Sequence, residues 1–360
     1  MQNDKMKKLL IALILSGVLS PYALNAQKAY KSNIDTDLYL LRNSVMPEFS
    51  CAADDYLQYS PAALMIGLKA FGYQGRSSWG RMLVSDAFST VGMAAAVKGL
   101  KLVVERERPD GSDFESFPSG HTAKAFMAAT MLHKEYGGRS PWFSIGGYSV
   151  AALTGVSRLM NNRHWMSDVV AGAAIGIGAV HLGYFITDKI FKDRGLNAGY
   201  EEPDFIYDSG KKHYVAELMF GRRYILGEPL KGSLIGLSTD IPLIPGTGVT
   251  AKATAGNLVK IPGDGYELYE QQAGVLYALM AGGYWNHSFA RILEFQAKAM
   301  LGSAVHNGKA GFGASAGLGL SLITDNNFKI KAFADYELAS RKSAPSLNSV
   351  IIGYSASWFW

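Results

Sequence analysis

The chain has 360 residues, of which 48% are apolar and 18% charged, with a formal charge of +5 and one cysteine. That composition excludes a disordered chain, and so low a charged fraction points to lipid contact or unusually buried helices. Part of the charge sits in residues 1–26, where Lys5, Lys7, Lys8 and Asp4 contribute a net +2 and leave about +3 for the rest, too mild a balance to argue for a nucleic-acid partner.

Residues 1–26 read as a secretory signal peptide. Lys5, Lys7 and Lys8 precede an apolar run from Leu9 to Leu19, Pro21 breaks it, and Ala26 offers a cleavage point before Gln27. The alternative is an uncleaved anchor, for which the run is short. Cys51 has no internal partner and reads as an incidental thiol.

Residues 27–191 read as a helical domain, with helices from about Asp54 to Asp188. Apolar residues recur at three and four, as in Leu83, Ala87, Val91, Ala94 and Val97. The run Val169–Ile186 is rich in Gly and Ala, which suits closely packed helices, and is borderline in length for a membrane span. Lys69, Ser85, Asp86 and Ser89 interrupt the apolar runs, so a periplasmic bundle is expected rather than an inner-membrane one. Residues 192–212, with Lys192, Asp193, Arg194, Glu201, Glu202 and Pro203, read as a linker.

From 213 to 360 the period becomes two. Phe328, Ile330, Ala332, Ala334, Tyr336 and Leu338 fall on one face, with Lys329, Lys331, Asp335 and Glu337 on the other. Leu293, Phe295, Ala297, Ala299 and Leu301 alternate against Glu294, Gln296 and Lys298 in the same way. An unbroken apolar face opposite charges and glycines suits a strand between lipid and a polar lumen. Eight such segments are expected, at about 213–225, 231–241, 247–257, 267–284, 288–301, 309–323, 327–340 and 347–360, an even number that allows a closed antiparallel outer-membrane barrel. Tyr354, Ala356, Trp358 and Trp360 share a face of the last strand, and an aromatic end of this kind resembles the insertion signal of such barrels. A soluble β-sandwich is the alternative. The fold class expected is therefore α + β in two domains, an all-α bundle followed by an eight-stranded antiparallel membrane β-barrel.

Three blocks carry chemistry. Lys101 and Arg108 are seven apart, which on one helix ended by Pro109 would put them on a shared face; a guanidinium fork and an ammonium together can hold a phosphate. Pro118-Ser119-Gly120-His121 opens an apolar helix, where unpaired N–H groups favour an anion and Gly allows close approach. Arg158, His164 and Asp168 form the third block; His164 and Asp168 are one helical turn apart, so the carboxylate can orient the imidazole and make it a nucleophile. Gly313-Ala-Ser315-Ala-Gly317 spells a nucleophile elbow, but it lies within an alternating strand, where that motif has no strand-to-helix turn.

Read together as Lys-x6-Arg-Pro, Pro-Ser-Gly-His and Ser-Arg-x5-His-x3-Asp, the blocks resemble the signature of the type 2 phosphatidic acid phosphatase superfamily, which includes bacterial acid phosphatases and vanadium haloperoxidases. The resemblance covers roughly Asp54 to Asp188. It implies a metal-free, cofactor-free phosphatase in which His164 forms a phosphohistidine, Asp168 orients it, and His121 protonates the leaving oxygen. Lys101, Arg108, Ser119, Gly120 and Arg158 would bind the phosphate. A membrane lipid such as lipid A is the expected substrate. A broad-specificity periplasmic acid phosphatase, or a barrel protein with an accessory phosphatase domain, is the alternative.

Overall fold

A computed structural model describes residues 33–198, 200, 210–260, 271–290, 292–325, 328–341 and 344–359. The expected signal segment lies outside the described residues, as do 201–209 of the expected linker and Trp360. Of the described residues, those within 49–204 form one compact unit and those within 1–48 and 205–360 form the other.

The helical unit comprises α2 (Asp54–Leu57), α3 (Ser60–Ala70), α4 (Trp79–Val104), α5 (Gly120–Tyr136), α6 (Pro141–Met160) and α7 (Met166–Phe191). Its helices begin where the chain supplies caps. The Ser119 hydroxyl accepts from Thr122 N–H at the head of α5, and Ser140 precedes Pro141 at the head of α6. Met65, Met82, Met131, Leu132, Tyr136, Val180 and Tyr184 form the main core. The Gly-rich α7 packs tightly, because a Cβ on Gly176 would stand 2.3 Å from the Ala123 carbonyl oxygen. Only a residue without a side chain lets α5 and α7 approach this closely.

The polar residues in these helices do not blunt an apolar exterior as the sequence suggested. They turn inward: Ser85 and Ser89 are fully buried, and Lys69 is buried with Nζ donating to the Ser77 carbonyl. The outer faces are left apolar, with Val91 68% and Val103 80% exposed. Among the described helices, α4 and α7 are long and apolar enough to cross a membrane.

The second unit is a closed barrel of β1 (Val215–Leu226), β2 (Leu230–Ile244), β3 (Thr247–Lys260), β4 (Gln271–Ala290), β5 (Leu293–His306), β6 (Lys309–Asp325), β7 (Phe328–Arg341) and β8 (Ala344–Phe359). Every neighbour is antiparallel, and β1 closes on β8 with Val215 opposite Phe359. The fourth strand extends past its expected end at 284 to Ala290. The expected gap at 285–287 instead stays paired, with Trp285 opposite Thr247 and Asn286 opposite Gln296. Asn307 and Gly308, with φ of 50° and 78°, make the two-residue β5–β6 turn that matches strand twist.

Alternation sets the wall. Leu318, Leu320, Ile330, Tyr336, Ile352 and Tyr354 face outward, while Ser315, Lys331, Asp335, Glu337 and Ser355 are buried in the lumen. Ser315 of the elbow-like motif lies in β6 and accepts from Lys252 Nζ at 3.1 Å. The lumen is filled by paired charges. Lys331 reaches Glu217 at 2.7 Å and Gln296 at 2.8 Å, Lys298 reaches Asp240 at 2.9 Å, and Arg223 reaches Glu337 at 2.7 Å. Apolar clusters lie at its two ends, Ile225, Leu258, Leu276 and Leu347 in one and Val215, Ile323 and Phe359 in the other. Buried charges persist only when paired this way.

Helix α1 (Ile34–Val45) belongs with the barrel. The sequence assigns it to the helical domain of 27–191, whereas the compact units divide after Glu48. Its Asp37 is fully buried and bonds Arg222 of β1 and Ser233 of β2, the latter at 2.8 Å. A buried carboxylate of this kind goes with the residues that neutralise it.

Candidate active site

The three sequence blocks meet in the helical unit. The Ser119 backbone N–H donates to the Asp168 carbonyl at 3.0 Å, which joins the head of α5 to the head of α7. Lys101 occupies the last turn of α4 and Arg158 the last turn of α6. Four helix ends therefore supply the site, and Gly120, Ser119 and His121 stand where α5 presents its unpaired N–H groups.

Arg108 is not on the same helix as Lys101. Helix α4 ends at Val104, with Glu105 in the left-handed region at φ 39°. The next residue, Arg106, is held outside the helix. The Arg106 guanidinium donates to Asp168 Oδ1 at 2.8 Å and Ser167 Oγ at 2.6 Å, and its carbonyl accepts from Ser116 N–H at 2.9 Å. Arg108 lies in the following loop, with Nε donating to Asp113 at 2.6 Å. Lys101 Nζ donates to the Glu115 carbonyl and stays within electrostatic reach of Arg108.

His164 also lies off the helix, two residues ahead of Met166 at the start of α7. Its Nδ1 is 2.7 Å from the Ser116 carbonyl oxygen and 3.7 Å from Asp168 Oδ2. A carbonyl only accepts, so Nδ1 carries the proton and Nε2 is the basic nitrogen. Asp168, fully buried, is itself held by Ser116 Oγ and by Trp165 N–H at 2.8 Å. Burial pushes the His164 imidazole below its ordinary value; Asp168 opposes this, and the charges of Arg108 and Arg158 add to it.

Arg158 is buried, with Nη1 donating to Asp54 at 2.5 Å, while its Nε has no partner among the described residues. His121 Nε2 sits 3.0 Å from Asp55 Oδ1. Burial lowers the His121 pKa, Arg158 and Lys124 lower it further, and Asp55 raises it. The eight residues singled out in the sequence thus gather at one end of the bundle. The sequence missed Arg106, Ser116, Asp54 and Asp55. No motif marks them, since each acts through a contact with a residue far along the chain.

Arginines, a lysine and a helix head beside an imidazole nitrogen, at one end of a helical bundle, are groups that can hold a phosphate. The PAP2 superfamily model matches residues 83–192. A Porphyromonas gingivalis protein described as lipid A 1-phosphatase is 46% identical over 195 residues, 54% of this chain and 43% of that protein. Phosphatidylglycerophosphatase B of Bacillus subtilis is 31% identical over 148 residues, 37% of this chain and 70% of that protein. The chain belongs to the PAP2 superfamily. It spans less than half the length of the Porphyromonas relative. In the crystal structure of neisserial surface protein A, 96% of the chain matches 41% of this one, with 14% identity and a TM-score of 0.32.

Proposed function

We propose that this chain is a phosphatase that removes a phosphate monoester from a membrane lipid, with lipid A as its substrate, through a phosphohistidine on His164. The observation that carries this reading is the Nδ1 bond of His164 to the Ser116 carbonyl, which makes Nε2 the basic nitrogen beside Arg108 and Arg158. His164 Nε2 attacks phosphorus, the bond to the leaving oxygen breaks, and His121 delivers the proton that makes it an alcohol. Water then attacks the phosphohistidine, gives its proton to His121 and releases inorganic phosphate with His164 regenerated. Lys101, Arg108, Arg158, Ser119 and the Gly120 N–H stabilise the equatorial oxygens. Asp168 steadies the charge that develops on His164. None of these steps calls for a metal.

A lipid substrate is supported by the description of the Porphyromonas relative and by apolar residues beside the phosphate-binding cations. Leu102, Val103 and Phe114 are exposed next to Lys101 and Arg108. We place the catalytic unit on the periplasmic side, with the faces of α4 and α7 against lipid, the barrel in the outer membrane and residues 1–26 as the export signal. Domain limits of 49–191 and 213–360 follow, with α1 belonging to the barrel.

The test is phosphate release from lipid A and from soluble esters by wild type, His164→Ala and His121→Ala. The expected result is release from lipid A that falls by at least ~10³-fold in His164→Ala. Soluble esters turning over as fast as lipid A would replace the lipid reading with a broad-specificity acid phosphatase. Heat-modifiable mobility in outer-membrane fractions tests the barrel.

A further inference from the structure

The short helix α2 has no part in the sequence signature, yet it and Cys51 ahead of it are fastened to the site by four hydrogen bonds. The Asn161 side chain accepts from Cys51 N–H at 2.9 Å and donates to the Cys51 carbonyl at 2.6 Å. Asp54, 1% exposed, accepts from Arg158 at 2.5 Å and from Asn161 at 3.3 Å. This anchoring fixes the residue after Asp54. Asp55 lies with Oδ1 3.0 Å from His121 Nε2, although its side chain is 58% exposed. The groups facing His121 are Asp55 from α2, Lys124 from its own helix and Arg158 from α6. Two of these are cations, and they disfavour the protonated imidazole a general acid needs. The carboxylate is the one group of the three that favours it.

We propose that Asp55 is the positioning residue of His121, in the same relation to the general acid as Asp168 is to the nucleophile. By taking the Nε2–H, Asp55 orients the ring and leaves Nδ1 to exchange a proton with the leaving oxygen. It also holds the proton on His121 against Arg158, Lys124 and burial. A plain surface ion pair is the competing account, and it predicts a different result, because an exposed pair contributes little to either fold or rate.

The inference rests on the phosphatase reading, and leaving-group chemistry separates the two. A p-nitrophenolate departs without protonation, whereas an alkoxide departs only with a proton. The experiment uses the full chain in detergent, with p-nitrophenyl phosphate and dodecyl phosphate as probes. Wild type, Asp55→Asn, Asp55→Glu, His121→Ala and His164→Ala are compared. Asp55→Asn is expected to lower kcat on dodecyl phosphate about 10-fold with KM changed less than about 2-fold. On p-nitrophenyl phosphate it is expected to change kcat/KM, which reports the phosphorylation step and not the later attack of water, less than about 2-fold. Removing the carboxylate lowers the His121 pKa, so the alkaline limb of kcat/KM moves to lower pH by about 0.5–1 unit, and Asp55→Glu moves it back. Equal losses of kcat/KM on both esters, an unmoved limb on dodecyl phosphate, or a lowered unfolding midpoint that accounts for the loss would overturn the proposal. Activity in His164→Ala equal to wild type, or none in wild type, would instead remove the phosphatase reading itself. Wild-type activity lost in His164→Ala but unchanged in Asp55→Asn would remove the Asp55 role alone.

Discussion

His164 Nδ1 is bonded to the Ser116 carbonyl at 2.7 Å, closer than to the carboxylate of Asp168 at 3.7 Å. The tautomer is set by a backbone group, and Asp168 is left to act through charge and through the loop it holds.

This arrangement sets the effect of Asp168→Asn. Where a carboxylate alone fixes the tautomer, the amide costs about 10⁴-fold in kcat. Here the Ser116 carbonyl still fixes it, so the loss is expected to be about 10²-fold at saturating substrate. Asn at this position also leaves Arg106 facing an amide, so the thermal midpoint falls. Steady-state kinetics with thermal unfolding checks both, and a loss as large as that in His164→Ala would contradict the backbone-fixed tautomer.

The acid side of the pH profile follows from His164. Burial holds its pKa below the ordinary value, so the neutral imidazole persists as pH falls, and attack is lost only below that lowered pKa. The acid limb of kcat/KM is expected below pH ~6.5, the ordinary imidazole value. A limb at or above that value would show that His164 is not shifted down, or that another group controls it.

The packing of α7 gives a paired test two residues apart. A Cβ on Gly176 meets the Ala123 carbonyl oxygen at 2.3 Å, whereas one on Gly178 meets nothing within 4 Å. Gly176→Ala is expected to cost about 1–3 kcal/mol by overpacking. Gly178→Ala is expected to be neutral or to stabilise by up to ~1 kcal/mol. Unfolding midpoints of the two variants decide it, and equal midpoints would contradict the close α5–α7 approach.

In the barrel, Lys331 and Glu217 are 2.7 Å apart and both buried. Lys331→Met leaves a buried carboxylate short of its partner, at a cost of about 3–5 kcal/mol, and adding Glu217→Gln recovers much of it. A double-mutant cycle on the heat-modified gel transition measures the coupling, expected to exceed ~1 kcal/mol. Additive losses would show that the lumen charges do not act as a unit. Wild-type barrel is expected to give no ion conductance in planar bilayers, since side chains fill the lumen.

The barrel was legible because a period of two leaves its mark on every residue of a strand. The Lys329, Lys331, Asp335 and Glu337 face could only be a lumen once Ile330, Ala334 and Tyr336 lay opposite it. Boundaries were less legible: residues 285–287 fall between two expected strands, but Trp285 and Asn286 are held in the ladder. The signature residues stood out as three spaced blocks, and the family resemblance supplied their expected roles. Their supports did not stand out, since Arg106, Ser116 and Asp55 act across separations of 62, 48 and 66 residues that no local pattern records. The same spacing misplaced Arg108 on a helix, because seven residues apart also describes a helix end followed by a loop.

The seam between β1 and β8 has a consequence for the order of assembly. Leu226 pairs with Asn348 and Val215 with Phe359, so the first strand finds its second neighbour only when the last has arrived. Until then both edges carry unpaired backbone groups that invite other strands, and closure joins the most distant parts of the barrel sequence, the slow kind of contact. The helices around His164 also close over long separations, as Asp54 does with Arg158 across 104 residues, but all of them precede the first strand. The helical unit is therefore complete in the chain before the barrel, while the seam sets the time at which the strands stop needing protection.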